Sequence, residues 1–599
     1  MSESQPSTVQ QSESQPTSNQ QQGSVKETIE SILVAFILAF IFRAFVVEAF
    51  VIPTGSMAPT LLGAHMRFQC PDCGYVFDVN YSHGDSEDTN FPSEDRPPDD
   101  IYCPNCGYKV ASGPMHDNNG RPVLQPMRDA QGRQLVDADG NRVQQLAYPF
   151  GSRSEQVRFG DRILVLKYAY LFGPPHRWDV VVFKAPADPD KYHYTQNFIK
   201  RLVGEPGETL MVLDGSIFLQ DADGDWKIQQ KPADVLDAMW RVIYDNDYYP
   251  QGLPREDRSS PWTQPWKLQS GTGWDLGHNA SDGRVFHFAS QADGSIAFDA
   301  SANPGTQTTN DYLVYDIPAN QRRPDGASLP NGDIERSVVS DLKLSVYYQR
   351  TSGQGPLKLL LSKRDHVFTA EIDPDSATLW QTHPDGTTDA AAGPVKFADI
   401  GLSSSAPISL QLTNVDYRVT LWINGKDVLH TTDAQYSPDV DQLRNEFEKG
   451  AANPEDSLGR RPPRIEIIAD NQQCSLSHVG LWRDIYYTNR TSNSGSLEWA
   501  TPDRPVVLHH RGEKRADGTG AYDDDEYFVM GDNSEISGDA RYWDRSIDLP
   551  YEGLEMESGR VPGRFLLGRA FFVYWPSGYR PISAFPAIIP NFGDMRFIH

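Results

Sequence analysis

With 599 residues the chain is too long for one hydrophobic core, and its length predicts about three to four domains. Its 54 basic against 81 acidic side chains give a formal charge of −27, which argues against a nucleic-acid partner, because phosphate binding needs a basic face. Hydrophobic residues make up 38% of it, enough for globular packing and too few for a many-span membrane protein.

Residues 1–25 are Ser, Gln, Glu and Thr with almost nothing apolar. They read as a disordered tail, since they cannot bury enough surface to offset their ordering entropy. An unbroken apolar run, Ile32 to Phe42, follows, and after Arg43 apolar character resumes from Ala44 to Val47. Residues 28–48 thus predict a helix of about 20 residues, long enough to cross a bilayer; the alternative is a buried core helix. The run flows into Phe50, Val51 and Ile52 rather than into a small-residue cleavage site. That predicts an uncleaved anchor, not a signal peptide. One basic residue on either side, Lys26 and Arg43, decides little about orientation.

Residues 65–156 read as an insertion. They carry an acidic Pro-rich stretch, Asp85 to Asp100, and four of the five cysteines, in CPDCG (Cys70, Cys73) and CPNCG (Cys103, Cys106). The fifth, Cys474, stands alone. CxxC sets two thiolates on one tight turn, with Gly74 and Gly107 permitting its backbone, and two such knuckles complete a tetrahedral sulfur site. A structural zinc in a zinc-ribbon-like knuckle is expected; two disulfides are the alternative.

Residues 157–225 are strand-like, with short β-rich runs at Ile163–Leu166, Val180–Phe183 and Thr209–Leu213. Over 226–498, alternating runs such as Leu342–Tyr348, Leu357–Leu361, Ile408–Leu412 and Tyr417–Ile423 are separated by Gly/Asp/Asn turns, which predicts an inserted β-sandwich. The stretch Ser409 to Leu429 resembles the strand–turn–strand of concanavalin-like or laminin-G-like jelly rolls. Residues 499–599 have the same character as 157–225, with strands expected at Tyr527–Met530 and Phe571–Trp575. The expected fold is mainly β: an antiparallel core from 50–64, 157–225 and 499–599, behind one N-terminal helix and carrying both insertions. A sandwich placed between two blocks that must meet should have its ends close together and be dispensable to the core.

Just after the apolar run stands PTGSMAPTL, Pro53 to Leu61. Ser56 is a small, Gly-flanked serine outside any GxSxG elbow, and no Ser/His/Asp arrangement is evident among the 14 histidines. Taken alone it reads as a turn serine. Four further segments change that: GDRILVLK (Gly160 to Lys167), RWDVVVFKAP (Arg177 to Pro186), FIKRLVGEPGE (Phe198 to Glu208) and YFVMGDNSEISGDARYW (Tyr527 to Trp543). In this order, behind FRAFVVEAFVIPTGSM, they resemble the sequence boxes of the type I signal peptidase family.

The resemblance implies a serine–lysine protease. Ser56 matches the nucleophile and Lys200 the general base, while the Ser56 amide and the Thr54 hydroxyl match the oxyanion hole. Ser537 matches the residue that hydrogen-bonds the lysine, and Asp539 with Arg541 a structural ion pair. Thr54 stands where serine is frequent, as does Ala540, and Ser534-Glu535-Ile536 replaces the usual polar run. The residues agree with this chemistry. A serine hydroxyl needs a base to take its proton, and a lysine can serve only when burial keeps it neutral. Lys200 lies in an apolar strand, and its neighbour Arg201 points to the other face, so one can be buried while the other is solvated.

The function expected is cleavage of N-terminal signal peptides from exported preproteins, with small residues at positions one and three before the cut. The enzyme would be anchored in the cell membrane by a single span, its site on the outer side. Catalysis would need no cofactor. The expected partners are preproteins and the lipid bilayer, with a ligand of the sandwich left open. The alternative is a membrane-tethered glycan- or wall-binding protein with a relic protease core.

Overall fold

The computed structural model describes residues 26–37, 47–80, 101–111, 157–186, 196–255, 261–303, 306–316, 337–401, 407–450, 461–488, 498–549, 553–577 and 591–599, apart from 517 and 519, together with short pieces between 121 and 146. The expected tail and the acidic Pro-rich stretch lie outside the described residues. So does part of the expected anchor, residues 38–46.

Residues 26–37 form an exposed helix, and among the described residues no helix is long and apolar enough to cross a membrane. The anchor expected to run to residue 48 stops short of it. Val47–Val51 is a strand, paired in register with Arg162–Leu166, so Val47 and Glu48 belong to a sheet and not to a helix. Its β-branched and aromatic residues suit that edge position, and Glu48 meets Lys167 across it at 3.1 Å.

One antiparallel sheet joins segments that are far apart in sequence. Its order is Val47–Val51, Arg162–Leu166, Leu566–Trp575, Val180–Lys184, Asn197–Gly204, Glu526–Met530 and Val561–Pro562, with Arg596–Phe597 on Leu566–Trp575. Both faces of this sheet are covered. Val181, Phe183, Leu202 and Val529 enter one hydrophobic cluster, and Val180, Val182, Ile199 and Val573 enter another. A smaller sheet of Thr209–Leu213, Ser216–Gln220, Trp226–Ile228 and Val506–Val507 lies beside it in sequence and shares the first cluster through Leu210, Val212 and Ile217.

Residues between these blocks build two further antiparallel sheets of eight and seven strands. Inward side chains such as Leu342, Leu344 and Val346 of one, and Leu357, Leu359 and Leu361 of the other, are fully buried in one common cluster. Alternation at period two therefore produces a two-sheet sandwich. Its tight hairpins use the chemistry such loops require. Asn424 and Gly425 turn between the paired residues Ile423 and Lys426, and Asp416 and Tyr417 between Val415 and Arg418, all four at positive φ. Tyr417, expected in a strand, thus sits in a turn.

Past the last sandwich strand, Tyr487 bridges Gly215 in the hairpin turn of the smaller sheet, which ties the end of the sandwich to that sheet. Packing draws the border differently from the sequence pattern. Val235, Met239, Ile485 and Tyr487 pack into the first cluster of the core sheets, whereas Met211, Leu213 and Phe218 pack into the sandwich.

Candidate active site

The edge strand Val47–Val51 ends where the Ile52 amide donates to the Asp161 carbonyl, and the chain then folds into a single 3₁₀ turn, Gly55–Met57. Thr54 precedes the turn in an extended conformation. It is exposed, and its hydroxyl makes no capping bond. Met57 is fully buried among Ile52, Leu61, Val180 and Val182, which pins the turn to the sheet. Ser56 at its centre is 9% exposed.

Lys200 sits within the strand Asn197–Gly204, opposite Val181, and is 4% exposed. Its Nζ donates to Ser56 Oγ at 2.5 Å. Two residues 144 positions apart are thereby brought together. Burial lowers the Lys200 pKa to about 8, against the pull of Asp539, which favours the charged form. An amine so placed is neutral near neutral pH in a far larger share of molecules than a free lysine is, and in that form can accept a proton from Ser56.

Arg201 points to the opposite face, and it is not solvated there. It is fully buried, with Nε and Nη2 on the two oxygens of Asp532 at 2.8 and 2.7 Å and Nη1 on the carbonyls of Trp178 and His599. Because both faces of the sheet are covered, strand alternation sends the arginine into a second core rather than into water.

Asp539 and Arg541 form a buried ion pair at 2.7 Å, and Asp539 also accepts the Gly531 amide. Arg541 reaches on to the Thr488 carbonyl and to Ser534. Burial alone would raise the Asp539 carboxyl, yet Arg541 holds it below the usual carboxylate range. Ser537 is buried beside Ser56. A Cβ on Gly531 would stand 2.2 Å from Ser537 Oγ and 2.4 Å from the Ser56 carbonyl, so only glycine permits that approach. The expected bond from Ser537 to Lys200 is not formed: Ser537 Oγ has no hydrogen-bond partner among the described residues, while the Lys200 amine donates to Ser56.

Asn533 has no role legible from the sequence, although it completes the Gly531-Asp532-Asn533 run. Its amide N–H donates to the Ser56 carbonyl and its Nδ2 to the Gly55 carbonyl, both at 3.1 Å. These two bonds clasp the turn that bears Ser56.

The four cysteines of the two knuckles converge. Cys70 and Cys106, and Cys73 and Cys103, have their sulfurs 3.6 Å apart, and all four are buried with free thiols. The knuckles are alike in backbone. Gly74 at φ +83° and Gly107 at φ +69° donate to the carbonyls of Cys70 and Cys103, whose own amides donate to Tyr75 and Tyr108. A tetrahedral zinc with bonds of about 2.3 Å would separate its sulfurs by about 3.8 Å, so the four thiols fit such an ion closely.

The family model described as signal peptidase, peptidase S26, matches residues 25–72, 141–296 and 486–575. A signal peptidase I of Leptolyngbya laminosa is 29% identical over 191 residues, covering 29% of this chain and 88% of that protein. Thylakoidal processing peptidase 1 of Arabidopsis thaliana is 40% identical over 67 residues, 10% of this chain and 20% of that protein. Among solved structures, the carbohydrate-binding module CBM66 of Bacillus subtilis aligns with 36% of this chain and 94% of its own, at 12% identity and a TM-score of 0.20. A score that low carries no reading of the sandwich. The family match includes the turn that bears Ser56, the strand that bears Lys200 and the loop that bears Asp539 and Arg541. By these matches the chain is similar to the type I signal peptidases of the S26 family and is a serine endopeptidase of that type.

Proposed function

We propose that this chain removes signal peptides from exported preproteins by serine–lysine catalysis. The observation that carries the reading is the 2.5 Å contact between Lys200 Nζ and Ser56 Oγ with both groups buried. In the first step the neutral Lys200 amine takes the Ser56 proton as Oγ bonds to the scissile carbonyl carbon. The Ser56 amide and the Thr54 hydroxyl stabilise the oxyanion. Lys200 then hands its proton to the leaving amine, and the new N-terminus departs from the acyl-enzyme. A water that gives its proton to Lys200 attacks the ester and releases the signal peptide. Ser537, with an unused hydroxyl beside Ser56, is the group expected to bond Lys200 once substrate is in place. Asp539 and Arg541 brace the Gly531 turn and take no proton.

The substrate is a preprotein with small residues at positions one and three before the cut. The apolar run from Ile32 to Phe42 anchors the enzyme in the cell membrane, so that the site meets the end of the signal peptide's apolar region at the outer face. Cys70, Cys73, Cys103 and Cys106 hold a structural zinc with no open position. The core comprises 50–64, 157–225 and 499–599, with the knuckle at 65–156 and the sandwich at 226–498 as insertions.

The test is cleavage of a preprotein in detergent. Ser56→Ala and Lys200→Ala should each abolish it, and so should Lys200→Arg, because arginine stays protonated. An active Lys200→Arg enzyme would refute the mechanism.

A further inference from the structure

The stretch 306–316 lies between the sandwich strands Gly294–Phe298 and Leu342–Gly353 and joins neither sheet. Its start is tied to the sandwich. The Thr309 carbonyl accepts from Val339, the Asp311 amide donates to Ser337, and the Arg483 guanidinium donates to the carbonyls of Asp311 and Tyr312 at 2.9 and 2.8 Å. Its end, Val314–Asp316, is a buried 3₁₀ turn that leaves the sandwich and lies on the nucleophile turn. Tyr315 clusters with Ala58 and Leu62. A Cβ on Gly55 would stand 2.5 Å from Tyr315 Cε1, so the ring rests directly on the residue before Ser56. Asp316, fully buried, accepts from Asn533 Nδ2 at 2.7 Å.

We infer that Asp316 is a positioning residue for the nucleophile, supplied by the inserted segment and acting through Asn533. This rests on the serine–lysine reading and extends it to a group outside the family's sequence boxes. A primary amide has two N–H bonds on one nitrogen and only an acceptor on the other end. Asn533 Nδ2 spends one N–H on the Gly55 carbonyl and the other on Asp316. Were the amide turned over, its oxygen would face the Gly55 carbonyl, acceptor against acceptor. A carboxylate accepts and cannot donate, so Asp316 selects the one orientation of Asn533 that clasps the turn. The clasp in turn holds Ser56 Oγ at Lys200. The segment that reaches the turn is thus part of what makes the site rigid, and a loosened turn should cost rate rather than substrate affinity.

The experiment compares the full-length enzyme with Asp316→Leu, which removes the acceptor at similar bulk, and Asp316→Asn, which keeps one. Preprotein cleavage is followed in detergent, with Ser56→Ala as the control. Asp316→Leu is expected to lower kcat at least tenfold with KM within twofold of wild type, and Asp316→Asn to restore most of the rate. If Asp316→Leu does not fold, Asp316→Ala takes its place with the same expected loss. A leucine or alanine variant within twofold of the wild-type kcat, or an asparagine variant as slow as it, would overturn the inference while Ser56→Ala remains inactive. Cleavage that survives Ser56→Ala would instead overturn the serine–lysine reading, and the inference with it.

Discussion

Lys200 and Arg201 are adjacent on one strand, both buried, and their environments act in opposite senses. Burial lowers both, but Asp532 grips Arg201 with two hydrogen bonds and leaves its pKa raised. Lys200 has no carboxylate in contact among the described residues, and burial lowers it to about 8. Since the amine is active only after losing its proton, kcat should rise with pH through a midpoint near 8, well below the roughly 10.4 of a free lysine. A kcat–pH profile running from neutral to alkaline pH checks this, and a midpoint at the free-lysine value would contradict it. Thr54→Ala should slow cleavage by about 100–1000-fold, as loss of one of two oxyanion donors does; a rate within a few-fold of wild type would remove Thr54 from the site. The pair Ser56 and Lys200 is legible in the sequence only through the family resemblance of the ordered segments around it, since by themselves Ser56 reads as a turn serine and Lys200 as a surface lysine of a strand. The fate of Arg201 is not, since alternation tells which face a side chain takes and not whether that face is wet.

At the level of elements, strands are legible where period-two alternation runs long, as at Leu342–Gly353 and Leu357–Lys363. The strand at Val47–Val51 is not, because an apolar run looks the same in a bilayer and at a sheet edge. The stretch 306–316 has no periodicity to betray it, and its contacts with the nucleophile turn bear on whether the sandwich is dispensable. Excising 235–490 would remove Tyr315 and Asp316, so such a variant should cleave more slowly even if it folds. The knuckles are likewise bound into the rest of the molecule. Asp72 accepts the amides of Gly252 and Leu253 and pairs with Arg255, while Asn105 exchanges bonds with Asp245 and Tyr248. Val314 packs in the cysteines' own cluster. Metal analysis of purified enzyme should find one zinc per chain, and Cys103→Ser should lose the metal and lower the melting temperature. Two intact disulfides and no zinc would reverse the assignment.

The whole molecule is held together where the smaller core sheet meets the sandwich, by charge as well as by apolar packing. Lys231, fully buried, lies 2.8 Å from both Asp416 and Asp484, and Lys363 pairs with Asp341 nearby. Ser216 of the smaller sheet donates to the same Asp416, which sits in a sandwich hairpin. Three carboxylates thus share two ammonium groups out of water. Burial pushes the Asp484 carboxyl up to about 6, even though Lys231 pulls it down. A carboxyl whose folded pKa lies above its unfolded value near 3.8 binds protons more tightly when folded. Its contribution to stability is therefore full below that unfolded value and is lost as pH rises through about 6. Lys231→Met removes the cation and leaves the carboxylates facing one ammonium group. Breaking a buried pair in this way costs about 3–5 kcal/mol. The variant should melt well below wild type at neutral pH, and the gap should narrow as pH falls, because without Lys231 to hold it down Asp484 takes up its proton above the wild-type value of about 6 and relieves the repulsion. Melting curves of both proteins on either side of that value decide it. A gap that is absent at neutral pH, or that does not change with pH, would show that the junction is held by its apolar contacts alone.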